Sequence, residues 1–511
     1  MAASASSPSV LIVGAGPVGL ALGLGLARQG VPSLVLEREH ATSEHSKAPG
    51  IHIRTREVLR QWGIDDRFTS RGHLLRRAVL HRAGAAPLIS ADFGVLADEA
   101  ADPGLLVLEQ SVTEELLLDA ATETGLCEVR FGAEVTAVED EGEAVTVTVS
   151  GAEGEQRLRA PFVVGCDGAS STVREQMGMG FTGHTYPMRP MLADVRVDDE
   201  RDSLAWPRTC IDRRGMTSAL RLSAGVWRII GLHPGDRHEE ALGDEEVQSR
   251  AARVLGPGST EVVWSSRFRI HRRAAPRFRV GRVLMAGDSA HVHSPVGGMG
   301  MNSGIHDAHN LAWKLAHVLR GGDQERLLDS YDVERREVVV ETVSRNTDLA
   351  TRAFLQSPRP VRLAAFAVAR RALAWPRLAR RALRGASMID LRYSSSPVLR
   401  GGGAVGMRLP NPPLEGQGTP GARLHDAIPY RPVVVQLGET PPPAGLGITV
   451  IAVDRTRHPE AHRVLSGVLG AREGWLLVRP DQHIAWTGRA DAAVLRAAVR
   501  HALGTPVSGC D

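Results

Sequence analysis

Cysteine is scarce in this 511-residue chain: Cys127, Cys166, Cys210 and Cys510 stand far apart, with no Cys-x-x-Cys pair and no metal-ligand spacing. That excludes a disulfide scaffold and a zinc ribbon, and a chain of this length can bury a large core without staples. Length alone suggests about two to four domains. Scattered thiols fit a reducing compartment, so a cytoplasmic location is expected. Lysine is scarcer still, with only Lys47 and Lys314, so the positive charge is arginine, and the formal net charge is just +3. Aromatics make up 4% of the residues and no basic block accompanies them, so no nucleic-acid surface is expected. Residues 1–9 lack the positive segment that opens a signal peptide. Long unbroken apolar runs are also missing. Residues 10–27 come nearest, but Gly14, Gly16, Pro17 and Gly19 punctuate them, which favours a strand, turn and helix over a membrane span. A soluble chain without stable membrane association is expected.

What is present begins with that stretch. Val10 to Val13 reads as a buried strand, Gly14-Ala-Gly-Pro-Val-Gly19 as a turn, Leu20 to Gln29 as a helix, and Ser33 to Leu36 as a second strand ending at Glu37. This is the dinucleotide fingerprint in context: Gly14 makes the turn, Gly16 lets backbone approach a pyrophosphate, and Gly19 lets helix and strand pack closely. Glu37 can accept from ribose hydroxyls and would repel a 2′-phosphate, which suits FAD or NAD rather than NADP. Lys47, Arg54 and Arg56 follow; they are either near the cofactor phosphates or part of a solvated basic loop.

Two further stretches pair a strand with a loop. Phe162 to Gly165 runs into Asp167-Gly168 and a helix capped by Ser170 or Ser171. Val283 to Ala286 delivers Asp288 to a loop, and Pro295 to Asn302 is a glycine-rich turn opening a helix at about Asn302. Bare N–H groups and a helix N-terminus there favour an electron-rich group. His291-Val-His293 is a poor metal pair, lacking further ligands in order, and no metal is expected.

Between these stretches, Gln110 opens an amphipathic helix to Thr122, and Val129 to Val138 with Ala144 to Val149 reads as a hairpin. Alternating strands at Met191 to Val197, Thr217 to Leu222, Val226 to Leu232 and Glu261 to Ile270 predict an antiparallel sheet. Trp206, Met216 and Trp227 are either pocket-lining or core. Gly304 to Leu319 reads as an amphipathic helix with one apolar face. The arginine-rich segment Pro358 to Arg384, broken by Pro360 and Pro376, reads as a solvated helical linker. Past Gly401-Gly-Gly403, strands at Pro432 to Leu437, Ile448 to Val453, Trp475 to Val478 and Ile484 to Trp486, with helices at about Ala461 to Leu469 and Asp491 to Leu503, predict a small α/β domain.

Taken in order, Gly14-x-Gly-x-x-Gly19 with Glu37, Cys-Asp167-Gly168-Ala-x-Ser-x-Val-Arg174, and Gly287-Asp288-Ser-Ala-His-x-His-x-Pro295-x-Gly-Gly298-x-Gly300-x-Asn302 resemble the single-component FAD-dependent aromatic hydroxylases. These include para-hydroxybenzoate and phenol hydroxylases, and the branch acting on aromatic polyketides is the most similar. The resemblance covers almost the whole chain. It implies an α/β fold: a Rossmann-like FAD-binding domain (8–72, 103–181 and 280–350), an inserted antiparallel-sheet substrate domain (73–102 and 182–279), a helical linker (351–400) and a thioredoxin-like C-terminal α/β domain (401–511). Without a Cys-x-x-Cys, that last domain cannot run dithiol chemistry, so packing or homodimerisation is its expected role.

The resemblance also implies site residues. Gly14, Gly16 and Gly19 would hold the FAD pyrophosphate, and Glu37 with Arg38 its ribose end. Lys47 stands where the family usually has arginine and loses the planar fork. Gln110 would lie along the cofactor and Val135 would offer backbone to the adenine. Asp167 and Gly168 would border the pyrophosphate, and Asp288 the ribityl or ribose hydroxyls. Pro295, Gly297, Gly298, Gly300, Met301 and Asn302 would flank the isoalloxazine, with Met216 and Trp227 as candidate substrate contacts. The implied activity is hydroxylation of an electron-rich aromatic, polyketide-derived molecule with O₂ and transiently bound NADPH or NADH, through a flavin C4a-hydroperoxide. Baeyer–Villiger oxygenation and a flavin dehydrogenase or oxidase are the alternatives. No catalytic base is assigned.

Overall fold

The computed structural model describes residues 8–42, 49–82, 87–204, 206–211, 215–233, 242–295, 297–353, 357, 359–414 and 421–504. A six-stranded sheet lies at the centre, in the order Arg279–Val280, Val283–Met285, Phe162–Gly165, Val10–Val13, Ser33–Leu36, Cys127–Arg130. All but the first of these strands run parallel. Parallel strands are covered on both faces, hence the continuous apolar runs in the sequence. Val10, Ile12, Val35, Phe162, Val164 and Leu284 face a helical layer. Leu11, Val13, Leu34, Leu36, Val163 and Val283 face a three-stranded sheet through Val135, Val138, Val145, Val147 and Val149. The helical layer includes α1 (Pro17–Arg28), with Pro17 in the first turn, where its missing N–H would have had no intrahelical partner.

The three-stranded sheet revises one sequence-based expectation. Val129 to Val138 is not a single hairpin strand: Cys127–Arg130 joins the central sheet and Glu134–Asp140 the small one. Gly132, at φ +65°, makes the turn between them. A third strand, Gly154–Ala160, completes the small sheet.

A second large sheet has seven strands, ordered Thr260–Arg267, Met191–Val197, Val226–Leu232, Met216–Ser223, Arg208–Ile211, Arg77–Arg82, Pro87–Asp92. Its pairings are antiparallel except that of Arg208–Ile211 with Arg77–Arg82. One face packs on the helix Asp244–Leu255. The other presents Met216, Ile230 and Leu232 to Tyr186, Met188, Phe268 and Ile270.

The C-terminal sheet is ordered Thr449–Val453, Val433–Leu437, Gly474–Val478, Ile484–Gly488, with its first pair parallel and the others antiparallel. Its last helix, Ala492–Leu503, inserts Leu495, Val499 and Leu503 into the same core as α1. The long helix after the glycine-rich turn differs in character from the expectation. Helix α2 (Ile53–Gln61) packs on this helix, α3 (Gly300–Leu319), which is buried on every side from Met301 to Ala316. An amphipathic helix with one wet face was expected. Instead His306, Asp307, His309, Asn310 and Lys314 are all buried.

The polar residues of α3 are matched rather than solvated. Glu334 accepts from Lys314 Nζ at 2.7 Å, from Arg479 at 2.5 and 2.8 Å and from Asn310 at 2.8 Å. Burial pulls the Lys314 ammonium down to about 7, against the attraction of Glu334. Arg479 also donates to Asp481, so the Arg-Pro-Asp turn is a buried electrostatic plug between the C-terminal unit and the rest. The arginine-rich segment forms helices Arg359–Leu373 and Pro376–Ala386, and Arg380 donates to Asp98 and Glu99. Among the described residues, no helix is long and apolar enough to cross a membrane.

Candidate functional site

Three adjacent parallel strands, Val10–Val13, Phe162–Gly165 and Val283–Met285, each end in one of the sequence motifs. In open parallel sheets the crevice beyond the carboxyl ends of the strands is where ligands bind. The fold therefore brings Gly14–Gly19, Asp167-Gly168 and Gly287-Asp288 to one rim.

The first loop is built around close approach. Gly14 has φ +104°, and a Cβ there would lie 2.6 Å from the Cys166 carbonyl oxygen. A Cβ on Gly19 would lie 1.9 Å from the Gly14 oxygen, but one on Gly16 would meet nothing within 4 Å. The turn is thus closed behind and open at Gly16, where α1 begins with unpaired N–H groups. Glu37 accepts from Ala15 N at 2.7 Å and from Glu39 N at 3.0 Å, which holds its carboxylate against the turn. Arg38 is exposed and donates to Glu39 at 3.2 Å.

At the second loop the carboxylate has a local task. Asp167 accepts from Ser171 Oγ at 2.5 Å and Val173 N at 3.1 Å, and Ser171 accepts from Arg174 N as the helix cap. Arg174 ties this loop to the third, donating to the carbonyls of Ser289 at 3.0 Å and Ala169 at 2.9 Å, with its guanidinium 4.1 Å from the Phe181 ring centroid.

At the third loop Asp288 is exposed on the rim, and the loop behind it is clamped to α3. Asp307 accepts from Gly287 N at 2.9 Å, His291 Nε2 at 2.7 Å and Arg335 Nε at 2.6 Å. Burial pushes the Asp307 carboxyl up, but His291 and Arg335 hold it below its ordinary value, so it stays ionised. His291 thus braces the loop. Further on, Pro295 and Gly297 are exposed and Gly298 is half-buried.

The glycine-rich turn itself is pinned from beneath. Asn302, fully buried, accepts from His52 N at 2.9 Å and donates to the carbonyls of Gly50 and Gly298, each at 2.8 Å. His52 Nε2–H donates to Gly297 O at 2.7 Å, and burial lowers the His52 pKa, so the ring is neutral at pH 7. The Asn302 amide is therefore committed to bracing the turn. What the turn offers outward is backbone N–H and the N-terminus of α3, from Gly300 and Met301 onward.

Other expected residues fall as follows. Gln110 opens the helix Gln110–Thr122 and donates to Glu114 at 2.9 Å. Val135 is buried in the three-stranded sheet, paired with Val149. Lys47 lies outside the described residues. Arg54 and Arg56 are neither at the phosphate loop nor solvated: Arg54 pairs with Glu57, Gln482 and the Asp481 carbonyl, and Arg56 with Asp65. Met216 faces the cluster of Tyr186, Met188 and Ile270. Trp227 is fully buried on the opposite face of that sheet and donates to Asp202 at 3.0 Å, because strand alternation sends it toward helix Asp244–Leu255. Trp206, partly buried, packs with Trp227 on the helix-covered side of the sheet. Reasoning from sequence missed His52, Asp307 and Arg335, since nothing local marks a polar residue in a helix or strand as buried.

Residues 7–346 match the FAD binding domain family, and residues 403–506 match the aromatic-ring hydroxylase C-terminal family. The chain belongs to the FAD-dependent aromatic-ring hydroxylases. It is 33% identical to the 12-dehydrotetracycline 5-monooxygenase/anhydrotetracycline 6-monooxygenase of Streptomyces rimosus, over 97% of this chain and 99% of that one. Among solved structures it resembles an anhydrotetracycline hydroxylase from Streptomyces rimosus (TM-score 0.81, 33% identity, 98% and 100% of the two chains). It also resembles an aromatic hydroxylase from angucycline biosynthesis (TM-score 0.79, 32% identity, 98% and 99%). FAD is the family's cofactor, and the open approach at Gly16, the exposed Asp288 and the N–H-rich turn before α3 fit its pyrophosphate, sugar chain and ring.

Proposed function

We propose that this protein hydroxylates a phenolic ring of a polycyclic aromatic polyketide, using FAD, NAD(P)H and O₂. The observation that carries the reading is the convergence of three motif-bearing loops at the ends of adjacent strands, joined to a braced glycine turn. The tetracycline and angucycline hydroxylases that the chain resembles support the substrate class. Bound FAD supplies electron transfer from NAD(P)H and the activation of O₂. Gly14, Gly16 and Gly19 form the pyrophosphate cradle, with Gly168 beside it; Glu37 with Arg38 borders the adenosine ribose, Val135 offers backbone to the adenine, and Gln110 and Asp288 lie along the sugar chain. Backbone N–H groups of the turn and the α3 N-terminus stabilise negative charge on the ring, and Pro295 and Gly297 leave space at its edge.

The seven-stranded sheet is the opposite wall. Met216, Ile230 and Phe268, partly exposed over the buried Leu232, Met188 and Ile270, would suit a flat apolar substrate and help exclude water. We assign 8–72, 103–181 and 280–350 to the cofactor unit, 73–102 and 182–279 to the substrate unit, 351–400 to the linker and 401–511 to a thioredoxin-like unit whose strand order fits that fold.

The test is direct. Purified protein is yellow, releases FAD on denaturation, and oxidises NAD(P)H faster when anhydrotetracycline or another phenolic polyketide is added; the product carries one oxygen atom from labelled O₂ on an aromatic carbon. A colourless protein unable to take up FAD overturns the reading. Bleaching of the flavin by substrate alone without O₂ identifies a dehydrogenase instead, and oxygen inserted beside a ketone identifies Baeyer–Villiger chemistry. Asp288→Ala weakens FAD binding, and unchanged affinity removes Asp288 from its role.

A further inference from the structure

Helix α2 joins the glycine-rich turn to the C-terminal unit. Its N-cap is His52, which hydrogen-bonds both Asn302 and the Gly297 carbonyl. Arg54, Glu57 and Gln61 follow at i, i+3 and i+7, one face of a helix. All three meet the C-terminal part of the chain. Arg54 donates to Gln482 Oε1 at 2.6 Å and to the Asp481 carbonyl at 2.8 Å. Glu57 accepts from Arg408 at 2.7 Å, and Gln61 donates to the carbonyls of Pro429 and Pro480 at 3.1 and 2.9 Å. Another face of α2 meets α3, where Thr55 pairs with His306 at 3.0 Å.

Gln482 is itself held in an unusual state. It is fully buried and has φ +60°, a left-handed conformation that a residue with a side chain seldom adopts. Its N–H donates to the Arg479 carbonyl and its carbonyl accepts from Leu409 N, each at 2.9 Å. A glycine would meet these backbone demands with less strain, so the glutamine is present for its side chain, and that side chain reaches Arg54.

We propose that Gln482 is a positioning residue for the flavin: through Arg54 and the first turn of α2, the C-terminal unit holds His52, and with it the Gly297–Asn302 turn, in cofactor-binding geometry. The proposal rests on the reading that this turn flanks the flavin ring. It gives the C-terminal unit a part in the reaction although it carries no dithiol.

Two variants withdraw the acceptor from Arg54 while suiting φ +60°: Gln482→Gly and Gln482→Asn. A third, Gln482→Glu, keeps an acceptor oxygen at the same reach. Both withdrawing variants fold with a lowered melting temperature, because a fully buried side chain is shortened, but Arg54 keeps Glu57 Oε2 and the Asp481 carbonyl and the strain at φ +60° is relieved, so the loss stays partial. In the FAD-free proteins, amide hydrogen exchange across 297–302 accelerates. FAD binding weakens about threefold to tenfold, part of what one full hydrogen bond to a charged group is worth. With a phenolic polyketide, a larger share of the NAD(P)H consumed appears as hydrogen peroxide instead of product, and Gln482→Glu restores all three readouts toward wild type. Wild-type exchange, FAD affinity and peroxide share in both withdrawing variants overturn the proposal and leave Gln482 a packing residue. Failure of the wild type itself to bind FAD overturns the reading beneath it, so the two failures are distinguishable.

Discussion

Replacing Gly16 by alanine separates cofactor binding from folding in a way its neighbours cannot. Gly16 has φ −69° and ψ 178°, extended backbone open to any residue, and its added Cβ would touch no atom of the protein. Loss of unfolded-state freedom then stabilises the apoprotein by about 0.4–1 kcal/mol. The same methyl group occupies the approach to the α1 N-terminus. If it pushes the pyrophosphate away from one charge-assisted hydrogen bond, the loss is about 1.5–3 kcal/mol, roughly a 10- to 150-fold rise in the FAD dissociation constant. Gly14→Ala and Gly19→Ala act differently. Their Cβ atoms would lie 2.6 Å and 1.9 Å from backbone oxygens, which cannot swing aside, and Gly14 also has φ +104°. Strain of about 1–3 kcal/mol or more falls on the fold itself. Thermal unfolding of the three apoproteins, followed by flavin fluorescence titration, resolves the two classes. A Gly16→Ala apoprotein as unstable as Gly19→Ala, or one that binds FAD as tightly as the wild type, refutes the reasoning.

Three other outcomes are expected. Asn302→Ala leaves His52 N and two carbonyls without their partner in a buried site, lowering unfolding free energy by about 1–3 kcal/mol for the first unmet group and loosening FAD; urea titration of apo and holo forms measures both. Glu334→Ala strands Lys314 and Arg479 in the interior and destabilises by about 3–5 kcal/mol, visible as a lowered denaturation midpoint, whereas an unchanged midpoint contradicts the plug between the units. Burial lowers the pKa of His52, His293, His306, His309, His425 and His483, to about 3 for His293 and His425. Because these folded values lie below the unfolded value near 6.5, the unfolded chain takes up protons first as pH falls. Stability is therefore full above about 6.5 and is lost as pH falls below it, down to about 3 for His293 and His425, each such histidine removing up to about 1.4 kcal/mol per pH unit. A melting temperature flat from pH 7 to 5 would contradict this.

The sequence by itself determined the cofactor crevice, because its constraints are local. A strand, a glycine turn and a helix start are written in consecutive residues, and three such units in one chain place Gly14–Gly19, Asp167-Gly168 and Gly287-Asp288 at strand ends before any packing is known. Alternation likewise predicted the antiparallel sheet that includes Met191–Val197 and Val226–Leu232, though not which face Trp227 takes, since that depends on the side to which helix Asp244–Leu255 docks. Tertiary structure decided what each polar side chain does once the loops meet. Asn302 and His291 lie in the flavin motif, yet they brace the loop against His52 and Asp307, residues distant in sequence. Arg54 reads as a basic loop residue and is instead buried against Gln482, more than 400 positions away. The polar residues of α3 read as a wet face and became an interior because several elements cover them: Asn310 and His309 meet Asp481 and Tyr430 of the C-terminal unit, whereas His306 meets Thr55 and Asp307 meets His291 and Arg335. Periodicity reports which residues avoid water; it cannot report which charges will find partners, because the partners belong to elements that only folding brings together.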